Sequence, residues 1–306
     1  MAAALPSVRR LPCVVFFPLY CDLPATTLES RMSNRKNGDG AAAEMIHPAA
    51  ASKQGLQTIK PRHEVWPDVI PESEWSVYQA ALEAANTSGA PFLIGGGFAL
   101  AFYVGRWRDT KDIDFYVLPG QRQLMIDVLS KEGFVDYYDQ RAYDRGWIYR
   151  STKNGIIVDI IWSMANRRAS VDEIWFERAL PVGIREQSFY AVPAEELLWC
   201  KLYVMQRDHS DWPDVINLLY AVGPELDWDH LLWRIDPDFL LLKSVLELFG
   251  WLCPSRAAEF PSHLRDKLHL SLTEPISKEE EAPRIRLLDS RAWFAAFQPK
   301  DRPLEI

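Results

Sequence analysis

The stretch that decides the fold reads Gly95-Gly96-Gly97-Phe98-Ala99-Leu100 and, after a basic turn, Lys111-Asp112-Ile113-Asp114-Phe115. The apolar run 91–94 before it predicts a strand that ends in the glycines. Residues 98–104 predict a short helix, and the two acidic residues lie on a second strand. Glycines allow a sharp turn and let a ligand approach the main chain closely. The N–H groups at the start of the helix have no helical partner, so they form a site for a phosphate group.

Two acidic residues of the second strand, Asp112 and Asp114, point to the same face because side chains alternate along a strand. Their carboxylates repel each other unless a cation lies between them. Mg²⁺ binds one or two carboxylates and completes its coordination shell with phosphate oxygens of a substrate. We therefore expect Mg²⁺, or Mn²⁺, beside the phosphate site.

A third acidic residue, Asp159, lies within the apolar run 156–162. This run and residues 147–150 predict a hairpin, since Asn154-Gly155 between β-prone runs is a strong turn signal. One interpretation is that Asp159 points outward from an open sheet face. The other is that its strand lies beside the first two acids, because an isolated buried carboxylate is costly. Three clustered carboxylates are typical of a two-metal site for phosphoryl or nucleotidyl transfer.

These residues together resemble a known signature. Gly96 and Gly97, then Asp112 and Asp114, with Asp159 on a later strand, resemble the DNA polymerase β nucleotidyltransferase superfamily. The form Arg-x-Thr-x-Asp-Ile-Asp, which begins at Arg108 and includes Thr110, is similar to small bacterial nucleotidyltransferases such as the AbiEii-like abortive-infection toxins.

A second matching stretch lies downstream, over residues 192–215. In the small nucleotidyltransferases a Pro-x-Glu-x-Leu helix start is followed by a lysine, an arginine and an Asp-x-x-Asp pattern, which match Lys201, Arg207, Asp211 and Asp214. From the residues alone, Lys201 is typical of an exposed helix lysine, and Asp211 before Trp212-Pro213 is a good helix cap. The resemblance covers about residues 90–235.

The resemblance implies transfer of NMP from an NTP to a hydroxyl acceptor, with release of pyrophosphate. It implies that the catalytic and metal-binding residues are Asp112, Asp114 and Asp159. It also implies that the nucleotide and its phosphates contact Gly96, Gly97, Arg108, Thr110, Lys201 and Arg207, and that the acceptor side or its support includes Asp211 and Asp214. From the residues alone, Arg108 is open to two interpretations: a solvated charge in a turn or, since two arginines just before the carboxylates suit phosphate binding, a phosphate contact.

Composition limits the partners of the chain. Of its 306 residues, 48% are hydrophobic and 25% are charged, and its net charge of -8 argues against non-specific DNA binding. Residues 141–168 hold six basic and two acidic side chains, and this excess of four positive charges (6 − 2 = 4) permits an RNA end as acceptor, besides a small molecule or a protein. The four cysteines have neither metal-binding nor secreted-type spacing, so we expect unpaired thiols and a cytoplasmic location.

We expect an α/β (α+β) chain of four segments. The segments are a disordered extension (1–63), a nucleotidyltransferase core with a mixed sheet flanked by helices (64–192), a helical region that completes the cleft (193–252) and an irregular tail (253–306). The apolar run 13–17 is too short for a signal peptide, and no stretch approaches the roughly 18 apolar residues of a membrane span. Met32 and Met45 are alternative starts of translation.

Two alternatives to an active enzyme stay open. One is a catalytically inactive protein of the same fold that acts as a binding or toxin–antitoxin partner. The other is a different α/β domain, in which the three carboxylates lie more than about 10 Å apart, beyond any shared pair of metals. The presence of all three acids favours the enzyme, since an inactive site tolerates the loss of an acid.

Overall fold

The computed structural model describes residues 70–288, except positions 106, 108–109, 186, 207–208 and 272–273. The predicted extension 1–63 therefore lies outside the described residues, as do Arg108 and Arg207. The described chain has a mixed α/β architecture, as predicted, with one seven-stranded sheet flanked by helices.

The strands pair in the order β3-β4-β5-β2-β1-β7-β6. Their bounds are β1 (Leu93–Ile94), β2 (Asp112–Tyr116), β3 (Val135–Asp136), β4 (Ile148–Lys153), β5 (Ile156–Ile161), β6 (Leu180–Ile184) and β7 (Gln187–Ala191). The helices are α1 (Glu72–Ser88), α2 (Gly96–Val104), α3 (Arg122–Lys131), α4 (Glu173–Glu177), α5 (Ala194–Leu202), α6 (Trp212–Val222), α7 (Trp228–Ile235), α8 (Phe239–Leu252), α9 (Pro254–Ala257), α10 (Ser262–Leu268) and α11 (Lys278–Leu288).

The centre of the sheet holds β2 and β5, the strands that carry Asp112, Asp114 and Asp159. Strand β2 runs antiparallel to β1 and parallel to β5, with Asp114 directly opposite Asp159. Strand β5 returns from β4 through the predicted turn, in which Asn154 (φ 54°) and Gly155 (φ 81°) both have left-handed backbones. Two positive φ angles in a two-residue turn match the right-handed twist of the flanking strands. The hairpin thus fixes the register of β4 on β5.

Local signals account for the helices that frame the sheet. Helix α1 begins with two acids in its first turn, which complement the helix dipole, and ends at Gly89 with φ 68°. It packs against α3 and β5, while α2 packs against α5 and α6. Buried aromatic residues fill the space between sheet and helices; they include Phe98, Phe102, Phe115 and Trp175.

Several predicted boundaries differ from the structure. Helix α2 begins at Gly96 rather than at residue 98. Strand β3 covers only Val135 and Asp136, and the chain then continues as a 3₁₀ turn. The hairpin of β6 and β7 was not predicted from the sequence.

The prediction of an irregular segment from residue 253 onward is wrong for its described part. Helices α9, α10 and α11 occupy much of residues 254–288. Phe260, Leu264 and Leu268 are buried there, and the Phe260 ring stacks on Phe249 with centroids 5.2 Å apart. Phe260 precedes α10, and Leu264 and Leu268 lie four residues apart on one face of α10, so this helix buries an apolar face despite the charged residues around it. No helix in residues 70–288, so far as they are described, is long and apolar enough to cross a membrane.

Candidate active site

The three acidic residues converge. Asp112 and Asp114 alternate on β2, and the parallel register places Asp159 of β5 beside them. One carboxylate oxygen from each residue lies within 4.8 Å of the other two. This separation excludes the alternative in which the three acids lie more than about 10 Å apart, beyond any shared metals.

The glycine turn packs directly against the acidic strand. Gly96 has φ +52°, and a methyl group on its Cα would lie 1.5 Å from Oδ2 of Asp114. The N–H of Gly95 donates a hydrogen bond to the carbonyl of Asp114 (3.0 Å). A methyl group on Gly97 would lie 3.2 Å from the Thr110 side chain. Glycine at position 96 is therefore needed both for its backbone conformation and for the space that the Asp114 carboxylate fills.

Thr110 holds one of the acids. Its hydroxyl donates to Oδ1 of Asp112 over 2.8 Å, and the same hydroxyl lies 3.3 Å from the Asp112 carbonyl. The sequence predicts that Thr110 contacts the nucleotide. The structure adds a different contact, by which Thr110 orients the Asp112 carboxylate.

A residue absent from the predicted set, Arg150, completes the cluster. It lies on β4 opposite Asp159, and its Nε (2.9 Å to Oδ1) and Nη2 (2.5 Å to Oδ2) bind both carboxylate oxygens. The same Nη2 lies 3.8 Å from Oδ2 of Asp112. The sequence held a signal for this pair. A two-residue turn at Asn154-Gly155 pairs the fourth residue before it, Arg150, with the fourth residue after it, Asp159.

Lys201 of α5 is buried, contrary to the expectation that a helix lysine is exposed. Its Nζ donates to Oδ2 of Asp211 (2.9 Å) and to Oδ2 of Asp214 (2.8 Å). Asp211 occupies the N-cap position of α6, as predicted, but its side chain caps no helix N–H. It binds Lys201 instead, and its Oδ1 lies 3.1 Å from Nε2 of His209. These contacts tie the start of α6 to the end of α5.

The other matched residue of this stretch, Glu195, has a structural contact. It is buried and accepts a hydrogen bond from the N–H of Asp227 (2.8 Å), with Arg178 3.7 Å away. Glu195 therefore joins α5 to the start of α7 beneath the site.

A cleft of about 530 Å³ opens over the three acids. The glycine turn, Thr110, Arg150 and Lys201 line it, and so do apolar side chains that include Trp147, Ile148, Met164 and Leu197. The floor of the cleft is thus charged, and part of its wall is apolar. This combination suits a ligand with a phosphate end and a flat or apolar end.

The model of a family described as "uncharacterised nucleotidyltransferase" matches residues 79–253, which is more than half of the chain. The chain belongs to this nucleotidyltransferase family. The predicted superfamily is thereby confirmed, whereas the AbiEii-like group stays a prediction. No curated protein matches the chain.

Three solved structures have similar but distant folds. The alignment with the solution structure of the antibiotic-resistance factor ANT(2'')-Ia has 17% sequence identity and a TM-score of 0.41, and it covers 57% of this chain and 96% of the ANT(2'')-Ia chain. The alignment with lincomycin-bound lincosamide adenylyltransferase LnuA has 16% sequence identity and a TM-score of 0.35, and it covers 47% of this chain and 94% of the LnuA chain. The alignment with JHP933 from Helicobacter pylori has 14% sequence identity and a TM-score of 0.38, and it covers 71% of this chain and 89% of the JHP933 chain. All three TM-scores are below 0.5. The functional proposal therefore rests on the family match and on the geometry of the site.

The charges of this nucleotidyltransferase site are unbalanced around Asp114. Asp114 is partly accessible from the cleft, but the surrounding protein desolvates its carboxyl group and raises its pKa, and the charges of Asp112 and Asp159 raise it further. Burial likewise raises the pKa of Asp159, against the lowering effect of Arg150. The hydrogen bond to Asp159 in turn raises the pKa of Arg150. Additional positive charge is therefore favoured at Asp112 and Asp114.

The donor set fits a hard divalent cation. Its members are carboxylate oxygens, which Mg²⁺ and Mn²⁺ prefer, and they are close enough to share one ion. Asp112 and Asp114 face the cleft, whereas both oxygens of Asp159 already bind Arg150. The structure thus brings together Gly96, Gly97, Thr110, Lys201, Asp211 and the three acids, while Asp214 binds Lys201 and is not part of the cleft lining.

Proposed function

We propose that this chain transfers NMP from an NTP to a hydroxyl acceptor in a reaction that depends on a divalent cation and releases pyrophosphate. One observation carries the proposal: the glycine turn, packed against Asp114, and the register of β2 on β5 place three carboxylates at the floor of one cleft. The chain's membership of a nucleotidyltransferase family supports the same reaction.

The residues have separate roles in this proposal. The first turn of α2, at Gly96 and Gly97, holds the phosphates through its N–H groups. Asp112 and Asp114 hold the divalent cation, with Thr110 fixing the orientation of Asp112. A cation bound there neutralises charge on the phosphates and on the departing pyrophosphate. The resemblance assigns phosphate contacts to Arg108 and Arg207 as well, and both lie outside the described residues.

In this proposal Asp159 acts on the acceptor. The acceptor oxygen forms a bond to the α-phosphorus, the bond from that phosphorus to the bridging oxygen breaks, and pyrophosphate leaves. The acceptor proton passes to the Asp159 carboxylate, which Arg150 orients through two hydrogen bonds. Positioning and electrostatic stabilisation, rather than covalent catalysis, then supply most of the rate.

The test is transfer of label from NTPs that carry it on the α-phosphate. Each NTP is incubated with the full chain, Mg²⁺ or Mn²⁺, and three acceptor classes: small hydroxyl compounds, proteins including the chain itself, and RNA ends. We expect a mass gain of one NMP on one class, and loss of this gain in Asp112→Asn and Asp114→Asn. Equal NTP affinity with and without the cation would contradict the proposal. Cation-dependent NTP binding without transfer to any class would favour the inactive binding protein.

A further inference from the structure

We propose that Arg150 takes the place of a second metal ion, so that this site binds one divalent cation, at Asp112 and Asp114, while Arg150 holds Asp159. The inference deepens the proposed function and rests on it. It concerns a positioning residue that the sequence pattern of the family does not include.

The contacts of Arg150 engage both carboxylate oxygens of Asp159. Nε lies 2.9 Å from Oδ1 and 3.2 Å from Oδ2 of Asp159, and Nη2 lies 2.5 Å from Oδ2. Such two-pronged, charge-assisted pairs are among the strongest hydrogen bonds in proteins. The Asp159 residue is only 1% exposed, so breaking the pair would leave a buried carboxylate without this partner. A second ion would have to compete with this guanidinium group for the Asp159 oxygens.

The guanidinium group also lies between two of the acids. Its Nη2 is 3.8 Å from Oδ2 of Asp112 and 2.5 Å from Oδ2 of Asp159. A guanidinium group is always charged and is rigidly planar, so it acts as a fixed positive charge in this position. The charge of the cluster then follows: three carboxylates and one guanidinium give −3 + 1 = −2, which one divalent ion neutralises.

The backbone around Arg150 holds it in this position. The cross-strand pairing of β4 with β5 continues on both sides of it, from Ile148 to Lys153. Its N–H donates to the Tyr143 hydroxyl over 3.0 Å, and that hydroxyl donates to Asp136 over 2.9 Å. Arg150 is therefore held by hydrogen bonds at its backbone and at its side chain. A group fixed in this way can replace an ion without reorganisation when nucleotide binds.

The experiment counts Mn²⁺ ions bound per chain, from the loss of the free-ion electron paramagnetic resonance signal. It uses the full chain with an excess of an α,β-methylene NTP, which binds but does not react. We expect one ion per chain in the wild type. Arg150→Gln frees the Asp159 carboxylate, and we expect its stoichiometry to rise to two. Arg150→Gln combined with Asp159→Asn should return to one.

Two further variants separate this role from a purely structural one. Arg145→Gln removes an arginine that pairs with Asp136 but does not line the cleft, and it should leave the count at one. Arg150→Lys keeps the charge without the two-pronged geometry and should fold even if Arg150→Gln does not. We expect it to keep one ion but to slow transfer, because a lysine cannot hold both Asp159 oxygens.

The outcomes distinguish this inference from the proposed function. Two ions per wild-type chain, or one ion in a folded Arg150→Gln chain, overturns the inference and leaves the proposed function intact. The absence of any cation-dependent nucleotide binding by the wild type overturns both.

Discussion

Replacing Gly96 with alanine perturbs the contact between the glycine turn and the acidic strand. Two separate penalties follow from the structure. The backbone at this position has φ +52°, and the added methyl group would lie 1.5 Å from Oδ2 of Asp114. The first penalty concerns the stability of the fold, and the second concerns the position of a carboxylate that we propose binds the cation.

The two magnitudes can be worked out separately. A left-handed backbone costs an alanine about 1–2 kcal/mol. Relieving the contact means lengthening it from 1.5 Å to at least 3.0 Å, so the carboxylate or the start of α2 must move by about 1.5 Å (3.0 − 1.5 = 1.5). Misplacement by about 1 Å costs on the order of 10²-fold in rate. We therefore expect Gly96→Ala to lower the transfer rate at least about 10²-fold, which is about 2.7 kcal/mol of transition-state stabilisation.

Gly89→Ala is a matched control. Gly89 ends α1 with φ +68°, but a methyl group there would meet nothing within 4 Å. This variant therefore carries the backbone penalty without the displaced carboxylate. Urea unfolding should show a loss of about 1–2 kcal/mol for Gly89→Ala and at least as much for Gly96→Ala. Mn²⁺ affinity and transfer should be unchanged in Gly89→Ala and strongly reduced in Gly96→Ala.

The reasoning would be refuted by either of two results. If Gly96→Ala binds Mn²⁺ with wild-type affinity, the close packing of the turn on Asp114 does not position the cation site. If Gly89→Ala loses Mn²⁺ affinity to the same degree, general destabilisation explains the effect.

Two further substitutions test the charges of the site. Asp114→Asn removes one of three mutually repelling carboxylates, so the metal-free chain should gain about 0.5–2 kcal/mol of stability. The same variant should lose the stabilisation that Mn²⁺ gives the wild type. Thermal unfolding with and without Mn²⁺ measures both effects, and a destabilised metal-free variant would contradict the first. Lys201→Met leaves two carboxylates, one of them buried, without their shared ammonium group and should cost about 3–5 kcal/mol in urea unfolding. Changing both of those aspartates to asparagine in the Lys201→Met chain should restore part of the loss, and no recovery would mean that the apolar packing of the lysine stem dominates.

Sequence reasoning located the elements whose signals are local. The Asn154-Gly155 turn predicted the β4–β5 hairpin, and the apolar run before the glycines predicted β1. The β6–β7 hairpin was not predicted because β6 contains Pro181 and Gly183, and both residue types are depleted in strands. The strand forms because β6 lies at the edge of the sheet, where a missing N–H is tolerated.

The candidate site also combines features that the local sequence predicts with features that depend on long-range packing. The alternation of Asp112 and Asp114 is a local property of a strand, so their common face was predictable. The position of Asp159 depends on the long-range pairing of β5 with β2. The family resemblance was the main reason to expect that pairing. Arg150 was predictable from the hairpin turn, because that turn sets its register opposite Asp159. The salt bridges of Lys201 were not predictable, since they depend on how α5 packs against α6.

The fixed positive charges of the cleft floor explain why the cation should matter so much. Arg150 and Lys201 both line the cleft, but each directs its hydrogen bonds to carboxylates, Asp159 for the first and Asp211 and Asp214 for the second. Nε and Nη2 of Arg150 and two of the three N–H donors of Lys201 are therefore engaged before any nucleotide enters. Much of the negative charge of a triphosphate must then be met by other groups: the start of α2, the two arginines implied by the resemblance, and the divalent ion that we propose at Asp112 and Asp114. Because those two carboxylates would repel the phosphates on their own, nucleotide and cation should bind together, each raising the affinity of the other by the same factor.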